Sequence, residues 1–147
     1  MKIRNLLPCA VACAFLIGAG LALTPSPARA DVSVEGGATV TGSSAHGAGA
    51  LSLGLMNTPL VPLSFDLTGL VATGGGYAAT LDARFAFAGT AVGAGAGIGS
   101  LNASNRTGTI YNGLLAHDIA PHTALEARLY FGPSRPSTLF AGLRFSL

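Results

Sequence analysis

The sequence predicts an all-β fold, an eight-stranded antiparallel up-and-down β-barrel, and three observations carry that expectation. Apolar and polar residues alternate with a period of two through most of the chain after residue 30. Clusters of Gly, Pro, Asn and Ser interrupt this alternation seven times. Seven of the eleven charged residues after residue 30 sit inside the alternating segments, always on the polar side. Successive side chains of a strand point to opposite faces, so each segment presents one oily and one polar face. A helix would scatter the same charges around its circumference.

The first element expected is a cleaved signal peptide over residues 1–30. Lys2 and Arg4 form a positive start, and Leu6 to Leu23 is uncharged and mostly apolar. Pro25 and Pro27 then break any helix ahead of Ala28-Arg29-Ala30, a small-x-small cleavage site. A retained anchor is the competing reading, since the run approaches the ~18 apolar residues of a spanning helix. The well-formed Ala-x-Ala site favours cleavage before Asp31. Cys9 and Cys13 lie inside this segment, and the apolar run continues past both, unlike the arrangement around a lipoprotein's modified cysteine. Residues 31–147 therefore contain no cysteine for a disulfide or a thiolate-bound metal.

Composition narrows the class of the remaining 31–147 domain. Half of the 147 residues are hydrophobic, a tenth are charged, 21 are glycine and none is tryptophan. Without Lys2, Arg4 and Arg29, five Arg, no Lys and six acidic residues remain, a formal charge of −1. A nucleic-acid-gripping protein needs a patch of Lys and Arg, so that class is excluded. Disorder is excluded as well, because so apolar a chain has ample material to bury. One domain is expected at this length.

The strands follow in order. Val32–Thr41 sets Val32, Val34, Ala38 and Val40 against Ser33, Glu35, Thr39 and Thr41. Gly47–Leu55 offers Leu51, Leu53 and Leu55, and Leu63–Val71 sets Leu63, Phe65 and Leu67 against Ser64, Asp66 and Thr68. In Tyr77–Phe87 the odd positions are apolar, with Thr80, Asp82 and Arg84 opposite. Thr90–Ser100 alternates Val92, Ala94, Ala96 and Ile98 with Gly93, Gly95, Gly97 and Gly99. Thr109–His117 is ambiguous, with apolar residues on both faces. Thr123–Phe131 sets Leu125, Ala127, Leu129 and Phe131 against Glu126, Arg128 and Tyr130; Thr138–Leu147 sets Leu139, Ala141, Leu143, Phe145 and Leu147 against Thr138, Arg144 and Ser146. Gly89, Gly93 and Gly97 also form a small-residue helix-packing pattern, but glycine penalises a helix by about 1 kcal/mol per residue. A strand is the better reading. Each strand-plus-turn unit spans near 15 residues, which accommodates a tilted membrane-crossing strand of ~9–11 residues and its turn.

The charges decide which face is wet. A soluble barrel of lipocalin type keeps its oily face inside and coats its outside with charge. Here the strand charges are only Glu35, Asp66, Asp82, Arg84, Glu126, Arg128 and Arg144, too few to coat an exterior, and lysine is absent from 31–147. Four acids against three arginines suit a set that pairs within a shared interior. Apolar outside and paired charge inside is the arrangement of an outer-membrane barrel, which must close because lipid offers no partners to free backbone groups. The partner is then outer-membrane lipid, and a monomer is expected. The inward charges are expected to form a salt-bridge network filling the bore, since eight strands leave room for little besides side chains; a conduction path is the alternative. Gly93, Gly95, Gly97 and Gly99 are expected to let long neighbours such as Arg84 lie across the sheet.

Thr138-Leu-Phe-Ala-Gly-Leu-Arg-Phe-Ser-Leu147 resembles the C-terminal strand of bacterial outer-membrane proteins. Asp118-Ile-Ala-Pro-His-Thr-Ala-Leu-Glu-Ala-Arg-Leu-Tyr130 is similar to the short turn and penultimate strand of small OmpA-like and opacity-type barrels. The resemblance implies that Leu143, Phe145 and Leu147 form an insertion signature read by the barrel-insertion machinery. It also implies a bacterial outer-membrane location. The chain departs from the pattern in ending on Leu147 rather than an aromatic residue, and in its thin aromatic girdle without tryptophan.

Catalysis has little to stand on. Some barrels that this chain resembles act on lipids through a His, a Ser and an acid, and His117, Asp118 and His122 are the candidates; no Ser lies between Ser104 and Ser134. His46, His117 and His122 lack the close pairing of a metal site, so neither metal nor cofactor is expected. The outward loops, 42–46, 73–76, 101–107 and 133–137, are short for an adhesin. Arg106 and Arg135 could meet lipopolysaccharide phosphates, while the glycosylation-like Asn102-Ala-Ser104 and Asn105-Arg-Thr107 are discounted in a bacterial-type protein. The expectation is a non-catalytic barrel with a structural, membrane-integrity or surface-interaction role. A narrow channel for ions or small solutes, and a lipid-modifying hydrolase, are its rivals.

Overall fold

The computed structural model describes residues 31–57, 62–101, 106–133 and 136–147. The expected signal peptide over 1–30 lies outside the described residues, as do Asn102, Ser104, Asn105 and Arg135. Eight strands follow one another: β1 (Val32–Thr41), β2 (Ser44–Asn57), β3 (Leu63–Ala72), β4 (Tyr77–Phe87), β5 (Thr90–Ser100), β6 (Gly108–Ala120), β7 (Thr123–Phe131) and β8 (Thr138–Ser146). Each pairs antiparallel with the next, and β1 pairs with β8, so the sheet is a closed barrel in sequence order. Closure leaves no strand edge exposed.

The bounds of β1, β4, β5 and β7 are those the alternation predicts. β2 starts at Ser44 rather than Gly47: Ser44, Ala45 and His46 carry no hydrophobic signal, yet they pair with Thr41, Val40 and Thr39. The expected loop 42–46 therefore shrinks to a two-residue turn, and Gly42 supplies its left-handed first position at φ 59°. β6 runs to Ala120, past the expected His117, and a register shift between Asp118 and Ala120 ends it. At the β4–β5 turn Ala88 and Gly89 both have positive φ, 50° and 75°, the primed geometry whose twist matches the flanking strands.

Large apolar side chains cover the outside of the barrel. Leu81, Leu115, Leu125 and Phe145 are 50%, 54%, 52% and 44% exposed, whereas Arg128 and Asp82 are fully buried within the bore. The bore has three levels. At the far end, beside the β3–β4 turn, Leu70, Ala78, Ile110, Tyr130 and Phe140 form an apolar cap with Ala50. The charged side chains fill the middle. At the terminal end, where β1 begins and β8 finishes, a cavity of about 740 Å³ opens, lined among others by Asp31, Asp66, Arg84, Asp118 and Arg144. The cap leaves no trace in the sequence pattern, because apolar side chains on the polar face of a strand do not register as period-two signal. On β6, where both faces carry apolar residues, Ile110, Asn112, Leu114 and Ala116 form the buried one.

Candidate functional site

The seven charged residues singled out from the sequence all meet inside the barrel. Arg128, on β7, is their centre: its Nη2 lies 2.9 Å from Glu35 Oε1, its Nη1 2.6 Å from Asp82 Oδ2 and its Nε 2.5 Å from Glu126 Oε1. Arg84 donates from Nη2 to both oxygens of Glu126 at 2.9 Å, and its Nε stands 2.7 Å from Asp66 Oδ2. Arg144 makes longer contacts, 3.5 Å to Asp66 and 3.5 Å to Glu126. Three guanidinium groups thus face four carboxylates, a formal charge of −1.

Strand register explains the arrangement. Asp66 and Asp82 are direct cross-strand partners on β3 and β4, a like-charge juxtaposition that is destabilising by itself. Each is drawn to different cations: Asp82 to Arg128, Asp66 to Arg84 and Arg144. Neutral groups complete the set. Thr68 Oγ1 donates to Asp82 Oδ2 at 2.8 Å, Asn112 Nδ2 to Asp82 Oδ1 at 2.9 Å and Ser52 Oγ to Glu35 Oε1 at 3.0 Å. Burial of an ion costs several kcal/mol unless its partners and hydrogen bonds are in place. Here the ion pairs come from β1, β3, β4, β7 and β8 and the neutral hydrogen bonds from β2, β3 and β6. Glu35 Oε2 is left without a hydrogen-bond partner among the described residues. Thr68 stands on the polar face that alternation predicts, whereas neither Asn112 nor Ser52 is assigned to a polar face from the sequence. The available signal for Asn112 was its place two residues from Ile110 and from Leu114 on one face of β6.

The glycine face of β5 makes room for Asp82, Asn112 and Leu114. A Cβ on Gly95 would collide with Asp82 Oδ1 and stand 2.9 Å from Asn112 Nδ2, while one on Gly93 would meet the Ala83 carbonyl and, at 3.1 Å, Leu114. Asp82 and Asn112 are the register partners of Gly95, and Leu114 is a partner of Gly93; Arg84, the other partner of Gly93, reaches Glu126 and Asp66.

His117 and Asp118 lie on opposite faces of β6. His117 is exposed on the outside with Nδ1 3.0 Å from Thr90 Oγ1, and Asp118 lines the cavity. His122 sits in the β6–β7 turn at φ 60°, and His46 lies in β2 against Gly74. Among the described residues no group of three or more His, Cys, Asp or Glu is placed to hold a metal ion. Leu143, Phe145 and Leu147 share the outer face, 37%, 44% and 80% exposed.

A closed eight-stranded barrel, apolar outside and ion-paired inside, is the class these features define. Among solved structures, the de novo designed TMB2.3, determined by solution NMR, is similar with a TM-score of 0.62 at 13% identity, over 83% of this chain and 98% of that one. A second designed transmembrane β-barrel is similar with a TM-score of 0.55 at 10% identity, over 80% and 96% of the two chains. A triple mutant of the Rh. blastica porin aligns at 14% identity with a TM-score of 0.37, over 86% of this chain and 47% of the porin. No protein-family model and no curated protein matches the chain.

Proposed function

We propose that this protein is a small, monomeric, non-catalytic bacterial outer-membrane β-barrel with a structural, membrane-integrity or surface-interaction role. One observation carries the reading: the barrel is inverted relative to a soluble protein, with most of its large apolar side chains outside and its ion pairs within. Water would leave that exterior unsatisfied, whereas hydrocarbon is its natural solvent, and a closed sheet is the form of β-structure that lipid tolerates. Aromatic residues flank the band at both levels: Tyr77, Tyr111 and Phe131 towards the far end, Phe85, Phe87 and Phe145 towards the terminal end. Tyr111 and Phe131 stand 5.9 Å apart, centroid to centroid. Such girdles seat a barrel at the two interfaces of a bilayer. Leu143, Phe145 and Leu147 are the residues we assign to recognition by the insertion machinery, and export through a cleaved signal peptide delivers the chain to it.

The interior supports a closed barrel over a channel, because the apolar cap and the Arg128-centred network together occupy the bore beyond the cavity. Heat modifiability tests the reading. Membrane fractions of expressing cells, run boiled and unboiled on a detergent gel, are expected to show the protein with a shifted unboiled band. An unshifted protein in the soluble periplasmic fraction would overturn it.

A further inference from the structure

We infer that the cavity at the terminal end is a binding site for a small zwitterion, held by its carboxylate at Arg144 and by its ammonium at Asp118. Three observations carry this. The cavity, about 740 Å³, falls within the ~300–1,000 Å³ of small-molecule sites. Its inner surface presents a guanidinium with donors to spare: Arg84 and Arg128 each hold a carboxylate at 2.9 Å or less, whereas the ion pairs of Arg144 are both 3.5 Å long. Asp66 and Glu126 keep their short contacts to Arg84 and Arg128 whatever Arg144 does. Arg144 is therefore the cation of the network that can turn towards a guest at least cost.

The opposite charge stands on the same hydrogen-bonded row. Asp118 pairs in register with Ala124, and Ala124 with Arg144. Two interstrand spacings separate the aspartate and the arginine, roughly 10 Å between Cα atoms. Ala124 is the buried small residue between them, and Ala116 and Ala91 extend the apolar wall. Asp31 and Asp118, both exposed at the mouth, repel a dianion and admit a guest whose outer end is cationic. A planar guanidinium matches a carboxylate through paired N–H donors. An ω-amino carboxylate fits this order of charge, apolar wall and charge, with no demand that the bore conduct. The inference stands on the barrel interior and does not depend on the role proposed above.

The test uses the full-length expressed protein purified in detergent, with 6-aminohexanoate as probe and hexanoate and hexylamine as controls, followed by calorimetry. Saturable binding of 6-aminohexanoate is expected, at least tenfold tighter than either control. Arg144→Gln is expected to weaken it at least tenfold and to erase the preference over hexylamine; Asp118→Asn, at the open mouth, is expected to erase the preference over hexanoate. The gel shift of unboiled samples establishes that each variant is closed, and Asp118→Asn decides the matter should Arg144→Gln fail to fold. No saturation by 6-aminohexanoate, equal binding of hexylamine, or binding unchanged in the closed variants would overturn the site.

Discussion

Arg128 Nη1 and Asp82 Oδ2 stand 2.6 Å apart, 46 positions apart in the chain, with neither side chain open to solvent. The pair joins β7 to β4 across the bore, and Arg128 binds β1 through Glu35 as well. Arg128→Met is expected to leave Glu35, Asp82 and Glu126 short of their shared cation. Removing one partner of a buried pair costs about 3–5 kcal/mol, so the variant should lose its unboiled gel shift or unfold at markedly lower denaturant. Retention of the parental denaturation midpoint would show that Arg84 and Arg144 redistribute to cover the loss.

Glycine substitutions on the two faces should have opposite signs. Gly95→Ala places a methyl group against Asp82 Oδ1 and 2.8 Å from the Leu81 carbonyl, an overpacking that costs about 1–3 kcal/mol. At Gly113 a Cβ meets nothing within 4 Å. Glycine in a strand interior is destabilising by roughly 0.5–1 kcal/mol relative to alanine, so Gly113→Ala is expected to stabilise by that amount. Denaturation midpoints of the two variants, measured side by side in one detergent, check the sign of each.

The contrast between those glycines marks what the sequence discloses. Alternation in β4 and β7 identifies the inward charges, because Asp82, Arg84, Glu126 and Arg128 are polar residues between apolar ones. It does not identify the cap, since Leu70 and Phe140 are apolar residues on an otherwise polar face, and only the closing of β8 onto β1 and of β3 onto β4 brings that face together. The pairing pattern inside the bore is likewise a product of register. Nothing local to Arg84 singles out Glu126 and Asp66 from the other inward carboxylates. The choice follows from which strands stand opposite once the barrel closes.

Two obstructions in series make the bore hard to open. Phe140 is fully buried in the cap, and Arg128 lies in the network that fills the level below it. Phe140→Ala is therefore expected to cost about 3–5 kcal/mol of stability, as truncation of a buried aromatic does, without producing ion conductance. Planar-bilayer recordings of the purified parent and of Phe140→Ala should both lack stable openings. Discrete steady openings in the parent would favour the narrow-channel reading.

The exterior supplies the sharpest separation between a membrane barrel and a soluble one. Leu81 lies near the middle of β4 and is 50% exposed, with its strand neighbour Asp82 turned into the bore. On a soluble barrel, Leu81→Arg would place a charge in water and change stability by little, within about 0.5 kcal/mol. On the lipid face near the bilayer midplane an arginine costs about 2–4 kcal/mol. The expected outcome is a reduced fraction of Leu81→Arg in the shifted, unboiled form after insertion into phospholipid vesicles. Thr80→Ser, one residue away and facing the bore, should insert like the parent. The control shows whether substitution at this height of β4 by itself hinders insertion. Equal insertion of parent and Leu81→Arg would mean that hydrocarbon does not touch this face, and the membrane reading would fall with it.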